Sequence, residues 1–204
     1  MTVSRPQILL TMALGFIVGG IATNSVLADD KPGHVHAAGH DHAAMEKEIS
    51  KTLATLSAVD RKQALAQRFC PVMEHSRLGA DGVPQKIVID GTPIFVCCEG
   101  CIDAAKEGGK KTLATVKKLT KASANLAKLP AKERAEVEAQ KYCAIANKNL
   151  LGLMGAPIRL ELDGKPVYVC CKGCVKKAKA DPAAALAKAE ALREAGEGHD
   201  HDGH

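Results

Sequence analysis

The 204-residue chain has no tryptophan, three phenylalanines and two tyrosines. Aromatic side chains supply the largest buried areas per residue, so this poverty excludes one large, well-filled core. It also excludes the stacking platforms on which single-strand and RNA-binding modules hold bases. Neither sign of charge dominates. The 28 Lys and Arg against 23 Asp and Glu leave a net +5, a weak warrant for nucleic-acid binding. Beyond residue 28 there is no apolar run long enough to span a bilayer. No Ser-His-Asp or Cys-His-Asn arrangement can be drawn, so an enzyme is not expected, and no Cys-x-x-Cys-His signals covalent haem. What the chain does have is eight Cys and eight His, in a background rich in Ala and Leu that favours helices.

Residues 1–28 read as a secretory signal. Arg5 gives a basic start, Ile8 to Ala22 an apolar run, and Val26-Leu27-Ala28 a cleavage site. The run is shorter than the ~20 apolar residues of a spanning helix, which favours cleavage over an N-terminal membrane anchor. The expectation is a periplasmic or secreted chain starting near Asp29, with no stable membrane insertion afterwards.

The cysteines form two sets of four at one offset. Cys70, Cys97, Cys98 and Cys101 each stand 73 residues before Cys143, Cys170, Cys171 and Cys174. The match needs no gaps and extends past sulfur. Ala66-Gln67-Arg68-Phe69 aligns with Ala139-Gln140-Lys141-Tyr142, and Asp90-Gly91 with Asp163-Gly164. Tandem duplication follows. Each repeat owns two aromatics beside its cysteines, Phe69 and Phe95 or Tyr142 and Tyr168. So small a core suits a module completed by a metal or by disulfides.

Within a repeat, Ser57 and Pro130 are expected to open helices that run to Phe69 and its counterpart. Gly79 and Gly82 mark a loop. Lys86 to Ile89 and Ile94 to Cys97 read as strands joined at Asp90-Gly91, followed by a Cys-Cys-x-Gly-Cys turn whose Gly eases the backbone around the sulfurs. A helix from Cys101 past Leu113 has a weak point at Gly108-Gly109, and Asp181-Pro182 begins a new helix in the second repeat. Met45, Ile49, Leu53 and Leu56 keep the spacing of an amphipathic leading helix.

Cys98 and Cys101 have the x2 spacing of a metal knuckle, and Cys97 and Cys101 an x3 spacing; Cys171, Cys170 and Cys174 repeat this. Neighbouring side chains diverge, so the expected ligands are Cys70, one or both of Cys97 and Cys98, and Cys101, with an open last position. His75 is a candidate for that position in the first repeat only, because its counterpart is Lys148; a surface His is the plainer reading. The remaining His fall near the ends, as His34, His36, His40 and His42, then His199, His201 and His204. Alternation with Asp and Gly makes these tails disordered candidates for weak capture of Zn, Cu or Ni. Lys110, Lys111, Lys117, Lys118, Lys121 and Lys128 read as a solvated helix face.

Cys70-Pro71-Val72-Met73, the Gly-rich loop, the Asp-Gly hairpin and Phe95-Val96-Cys97-Cys98-Glu99-Gly100-Cys101 resemble the YHS and TRASH heavy-metal-binding domains. The resemblance implies small treble-clef-like modules of hairpin, Cys knuckle and helix. It implies metal ligation by Cys70, Cys97 and Cys101 and by Cys143, Cys170 and Cys174. Cys98 and Cys171 stand where many members have Ser, as extra ligands or a redox handle. Cys143-Ala144-Ile145-Ala146 departs from the pattern by losing the Pro and Met.

The expected chain is α+β and mainly helical. It comprises a signal peptide (1–28), a His-rich segment (29–43), a first Cys module with its leading helix (44–120), a second module (121–195) and a His-rich tail (196–204). Its expected work is to buffer, sequester or hand on Zn2+ or Cu+, with a metal transporter or efflux component of the envelope as a possible partner and no nucleic acid. Two other classes compete: a disulfide-stabilised structural protein of the envelope, and a thiol-disulfide redox protein.

Overall fold

Ile49 and Leu53, one helical turn apart, are buried on one face of helix α1 (His42–Leu53). The structure, a computed structural model, describes residues 42–197, which lie in one compact unit. The signal segment and His34, His36, His40, His199, His201 and His204 lie outside the described residues. Leu56 falls beyond the end of α1 yet still packs on the same core.

Ser57 caps helix α2 (Ala58–Gln67), its hydroxyl accepting from the Asp60 N–H at 3.1 Å. Arg68 ends α2 in a left-handed conformation, φ 68°, with its N–H donating to Ala64 O. Strands β1 (Gln85–Ile89) and β2 (Thr92–Val96) pair antiparallel with Ile89 opposite Thr92. That register leaves a two-residue turn in which Asp90 and Gly91 both take positive φ, 48° and 74°, the pairing that matches strand twist. Helix α3 (Cys101–Gly108) stops at Gly109, φ 46°, and α4 (Lys110–Leu126) starts there, so the weak point is a true break.

The second repeat follows the same plan. Helix α5 (Ala131–Gln140) begins after Pro130 and ends at left-handed Lys141, φ 62°. Strands β3 (Ile158–Leu162) and β4 (Lys165–Val169) turn at Asp163-Gly164, and helices α6 (Lys172–Ala180) and α7 (Pro182–Glu197) complete it. The fold is thus mixed α+β, mainly helical, with two two-stranded sheets.

Each repeat has its own core. Phe95 (1% exposed) centres the first with Ile49, Leu53, Ile94 and Val96; Tyr168 (0%) centres the second with Leu126, Leu151, Val167 and Val169. Helix α4 belongs to both. Leu113 and Val116 pack on the first core, Leu126 on the second, and Leu119 and Ala122 join Phe69 and Leu150 in a small cluster between them. The boundary at residue 120 therefore falls inside a shared helix. In the 73-residue register Ile49 and Leu53 of α1 correspond to Ala122 and Leu126 of α4, so α4 leads the second module as α1 leads the first.

Both leading helices press on a left-handed glycine. A Cβ on Gly79 (φ 92°) would stand 3.0 Å from the Leu53 side chain, whereas one on Gly152 (φ 89°) would stand 2.8 Å from the backbone oxygen of Ala122. Each alanine carries left-handed strain of about 1–3 kcal/mol. Only at Gly152 must a helix backbone also move. Gly152→Ala is expected to cost about 1 kcal/mol more than Gly79→Ala in urea unfolding; equal costs would show that α4 yields as easily as a side chain.

Charged groups also tie the two modules. Arg68 donates to Glu138 (2.5 Å) and Glu46 (3.0 Å), and Arg77 to Glu46 (2.8 Å) and Glu138 (3.2 Å). Tyr142 donates to Glu74, and Lys141 Nζ stands 3.0 Å from the centre of the Phe69 ring. Burial pushes the Glu46 carboxyl up, but hydrogen bonds and charge from Arg77 and Arg68 outweigh it and hold it at about 2. A depressed carboxylate stabilises the fold above its ordinary value near 4.5, and the contribution fades as pH falls towards about 2. The urea midpoint of Glu46→Gln should therefore fall less than that of the parent between pH 6 and pH 3; parallel losses would contradict this linkage.

Candidate metal centre

Three separate elements deliver three sulfurs in each module. After α2 the left-handed Arg68 reverses the chain, Phe69 bridges Arg77, and the Cys70 N–H donates to Ser76 O at 3.0 Å. The second loop repeats this with Tyr142 bridging Leu150 and the Cys143 N–H on Asn149 O at 3.0 Å. Cys97 directly follows β2, and Cys101 is the first residue of α3.

A buried glutamine fixes the distance between these pieces. Gln67 donates from Nε2 to Phe69 O (2.9 Å) and Phe95 O (2.6 Å), and its Oε1 accepts from the Phe95 N–H (3.0 Å). Gln140 does the same with Tyr142 O (2.9 Å), Tyr168 O (2.7 Å) and the Tyr168 N–H (2.9 Å). One amide side chain thus clamps the strand before the knuckle to the loop of the first Cys. Sequence reasoning missed this role, although both glutamines stand at the 73-residue offset, three residues before a Cys.

The clamp leaves Cys70, Cys97 and Cys101 buried, with sulfurs all within 4.8 Å of one another, and Cys143, Cys170 and Cys174 likewise. Cys97 and Cys101 Sγ are 3.7 Å apart, Cys170 and Cys174 Sγ 3.8 Å. Zinc–thiolate bonds of about 2.3 Å set a tetrahedral sulfur–sulfur edge of about 3.8 Å. The spacing fits one ion per triad.

Cys98 and Cys171 are not members of the triads. Cys98 is exposed, 3.8 Å from the sulfurs of both Cys97 and Cys101; Cys171 is half-buried, 3.6 Å from that of Cys174. All eight cysteines are free. The knuckle glycine answers no torsional need: Gly100 is ordinarily helical, φ −59°, and a Cβ there would meet Cys98 Sγ only at 3.9 Å.

The first sulfur of each triad is surrounded by donors. The Met73 N–H points at Cys70 Sγ (3.5 Å), and those of Ala146 and Cys170 at Cys143 Sγ (both 3.4 Å). A hydrogen bond from the Cys97 thiol, helped by the N–H groups of Met73, Cys97 and Val72 and opposed by burial, brings Cys70 down to about 5. Burial also opposes ionisation of Cys143, but the N–H groups of Ala146, Cys170 and Ile145 prevail and lower it. The other sulfurs move the opposite way. Cys97 is raised by its bond to Cys70 and by burial, and Cys101 goes to about 12 through burial and the Cys70 charge. Burial first, then neighbouring sulfurs, raises Cys170 and Cys174. In each triad the first sulfur is thus the one favoured to ionise, and taking up a cation displaces the protons that remain on the others.

His75 is not in the triad. Its ring lies edge-on to Tyr142, centroids 6.3 Å apart, and close to Gly196. The lysines from Lys110 to Lys128 named above are all exposed, as a solvated face requires. No described helix is long and apolar enough to cross a membrane. No protein-family model, curated protein or solved structure matches the chain.

Proposed function

We propose that the chain binds one soft or borderline cation, Zn2+ or Cu+, at each cysteine triad and buffers, sequesters or hands it on. The observation that carries this reading is two buried three-sulfur sites at the spacing of a single tetrahedral ion. Three protein ligands leave a position open, the arrangement of sites that exchange what they hold. Cys98 and Cys171 stand at that opening, where a rim thiolate can meet an arriving ion before the buried sulfurs close on it. The hairpin, Cys knuckle and helix of each module support a treble-clef-like reading and the resemblance to YHS and TRASH domains. Export would place this exchange outside the cytoplasmic membrane, with a transporter or efflux component as giver or receiver.

Metal analysis paired with a free-thiol count tests the reading. Protein exposed to excess Zn2+ and then desalted should carry two tightly held ions, with the triad thiols protected until a chelator is added. Metal-free protein with all eight cysteines in disulfides would replace it with a structural role. A thiol pair that cycles at a measurable potential, without metal, would replace it with redox work.

A further inference from the structure

Neither knuckle glycine has positive φ, yet both repeats place one beside the rim sulfur. A Cβ on Gly100 would stand 3.9 Å from Cys98 Sγ, and one on Gly173 3.8 Å from Cys171 Sγ, so a longer side chain at either position would cover part of that sulfur. The six triad cysteines are buried, while Cys98 is exposed and Cys171 half-buried. Each rim thiol is thus reachable from solvent and outside the ligand set. It also has a partner at the right spacing. Cys98 Sγ is 3.8 Å from Cys101 Sγ, and Cys171 Sγ 3.6 Å from Cys174 Sγ. The Cys101 N–H donates to Cys98 O at 3.2 Å and the Cys174 N–H to Cys171 O at 3.0 Å, turns whose end Cα atoms lie under ~7 Å apart. Disulfides span ~4.4–6.8 Å between Cα atoms. Cys97 Sγ is as near to Cys98 as Cys101 Sγ is, but adjacent Cα atoms are only ~3.8 Å apart, too close for an unstrained bridge.

We infer that Cys98 and Cys171 are oxidation sites through which a small-molecule disulfide empties the triads. The inference rests on metal binding at the triads and names what regulates it. The Cys98 sulfur attacks one sulfur of R–S–S–R, forming a Cys98–S–R bond and expelling RS−, which takes the Cys98 proton. The Cys101 sulfur then attacks the Cys98 sulfur, forming the Cys98–Cys101 bond and expelling the second RS−. Two protein sulfurs are oxidised by two electrons in all, and the small disulfide is reduced to a thiol and a thiolate. Cys101, a ligand without a proton, gives up its bond to the metal, and the triad is left with Cys70 and Cys97. Two sulfurs do not retain an ion that three held tightly. Cys171 and Cys174 follow the same course, more slowly because Cys171 is half-buried. A reductant that reopens the disulfide restores the site.

The test adds oxidised glutathione to the full chain loaded with two equivalents of Zn2+. Released zinc is read with a chromogenic chelator, and disulfides are mapped by mass spectrometry. Two ions should leave, the first module's before the second's, with Cys98–Cys101 and Cys171–Cys174 as the disulfides formed, and dithiothreitol should return both. Cys98→Ser and Cys171→Ser should each cut the ions released to one, and the double variant should slow all release about tenfold or more. Release from the double variant at the parent's rate would overturn the proposal, as would rim cysteines that stop at a glutathione mixed disulfide with both ions held. In the metal-free chain the same two disulfides should form, and their absence there would overturn the pairing whether or not zinc binds. A chain that takes up no zinc at the loading step fails the metal reading, and the regulation with it; a chain that loads but keeps its ions fails the regulation alone.

Discussion

Replacing Cys70 by Ser lowers the tightly bound Zn2+ from two ions per chain to one, Cys143→Ser does the same, and the double variant binds none. Cys98→Ser and Cys171→Ser keep two. The contrast follows from position, since Cys70 and Cys143 are fully buried members of the triads and Cys98 lies exposed outside its own. Zinc contributes about 10–16 kcal/mol to small thiolate modules, or roughly 3–5 kcal/mol for each of three ligands, so one lost thiolate weakens binding by about two to four orders of magnitude. Serine oxygen does not recover this, because a serine hydroxyl ionises far less readily than the Cys70 thiol, which the Cys97 hydrogen bond and then the backbone N–H groups bring down to about 5. Rim variants should instead slow uptake and release, with stoichiometry unchanged. A chain that keeps two ions after Cys70→Ser, or loses one after Cys98→Ser, contradicts the ligand set. Stoichiometry is read by inductively coupled plasma spectrometry after equilibration against a chelator of known affinity.

The other large effect is expected at Gln140, which has 0% exposure and three hydrogen bonds to main chain. Gln140→Leu leaves the buried Tyr142 carbonyl and Tyr168 N–H without this partner, while the Tyr168 carbonyl keeps only the Ala144 N–H at 3.3 Å. At about 1–3 kcal/mol per buried unsatisfied group the cost is about 4 kcal/mol, a large share of the ~5–15 kcal/mol of an ordinary domain. Because the clamp sets the distance from the Cys143 loop to the strand before Cys170, Zn2+ affinity of the second module should fall with it. Chemical denaturation of the metal-free protein gives the first number, and competition for Zn2+ the second. A cost below 1 kcal/mol would mean that the glutamine fills space and positions nothing.

Much of the site was legible because the duplication writes it twice. The 73-residue offset marked all eight cysteines, both hairpin turns and the loop glycines, and turn chemistry placed Asp90-Gly91 and Asp163-Gly164 where positive φ is required. Spacing could not separate Cys97 from Cys98, since an x2 and an x3 gap both reach Cys101. The backbone separates them: Cys97 continues β2 into the core and Cys98 turns outward.

Apart from the repeated glutamine clamp, what stayed hidden rests on residues without a repeat partner, or on contacts between repeats. Arg77 and Glu138 correspond to Leu150 and Leu65, so the duplication carries no trace of their ion network. The double duty of α4 was masked by its lysines, which advertise a solvated face while Leu119, Ala122 and Leu126 on the other side serve two neighbours. His75 read as a plain surface residue because its relation to the end of α7 exists only in three dimensions.

X-ray absorption on protein loaded with two equivalents of Zn2+ tests the central claim most directly. The account predicts three sulfur neighbours per zinc at about 2.3 Å, in both modules, with the fourth position held by a lighter atom. A shell of nitrogen and oxygen at about 2.0 Å, with no sulfur, would contradict it.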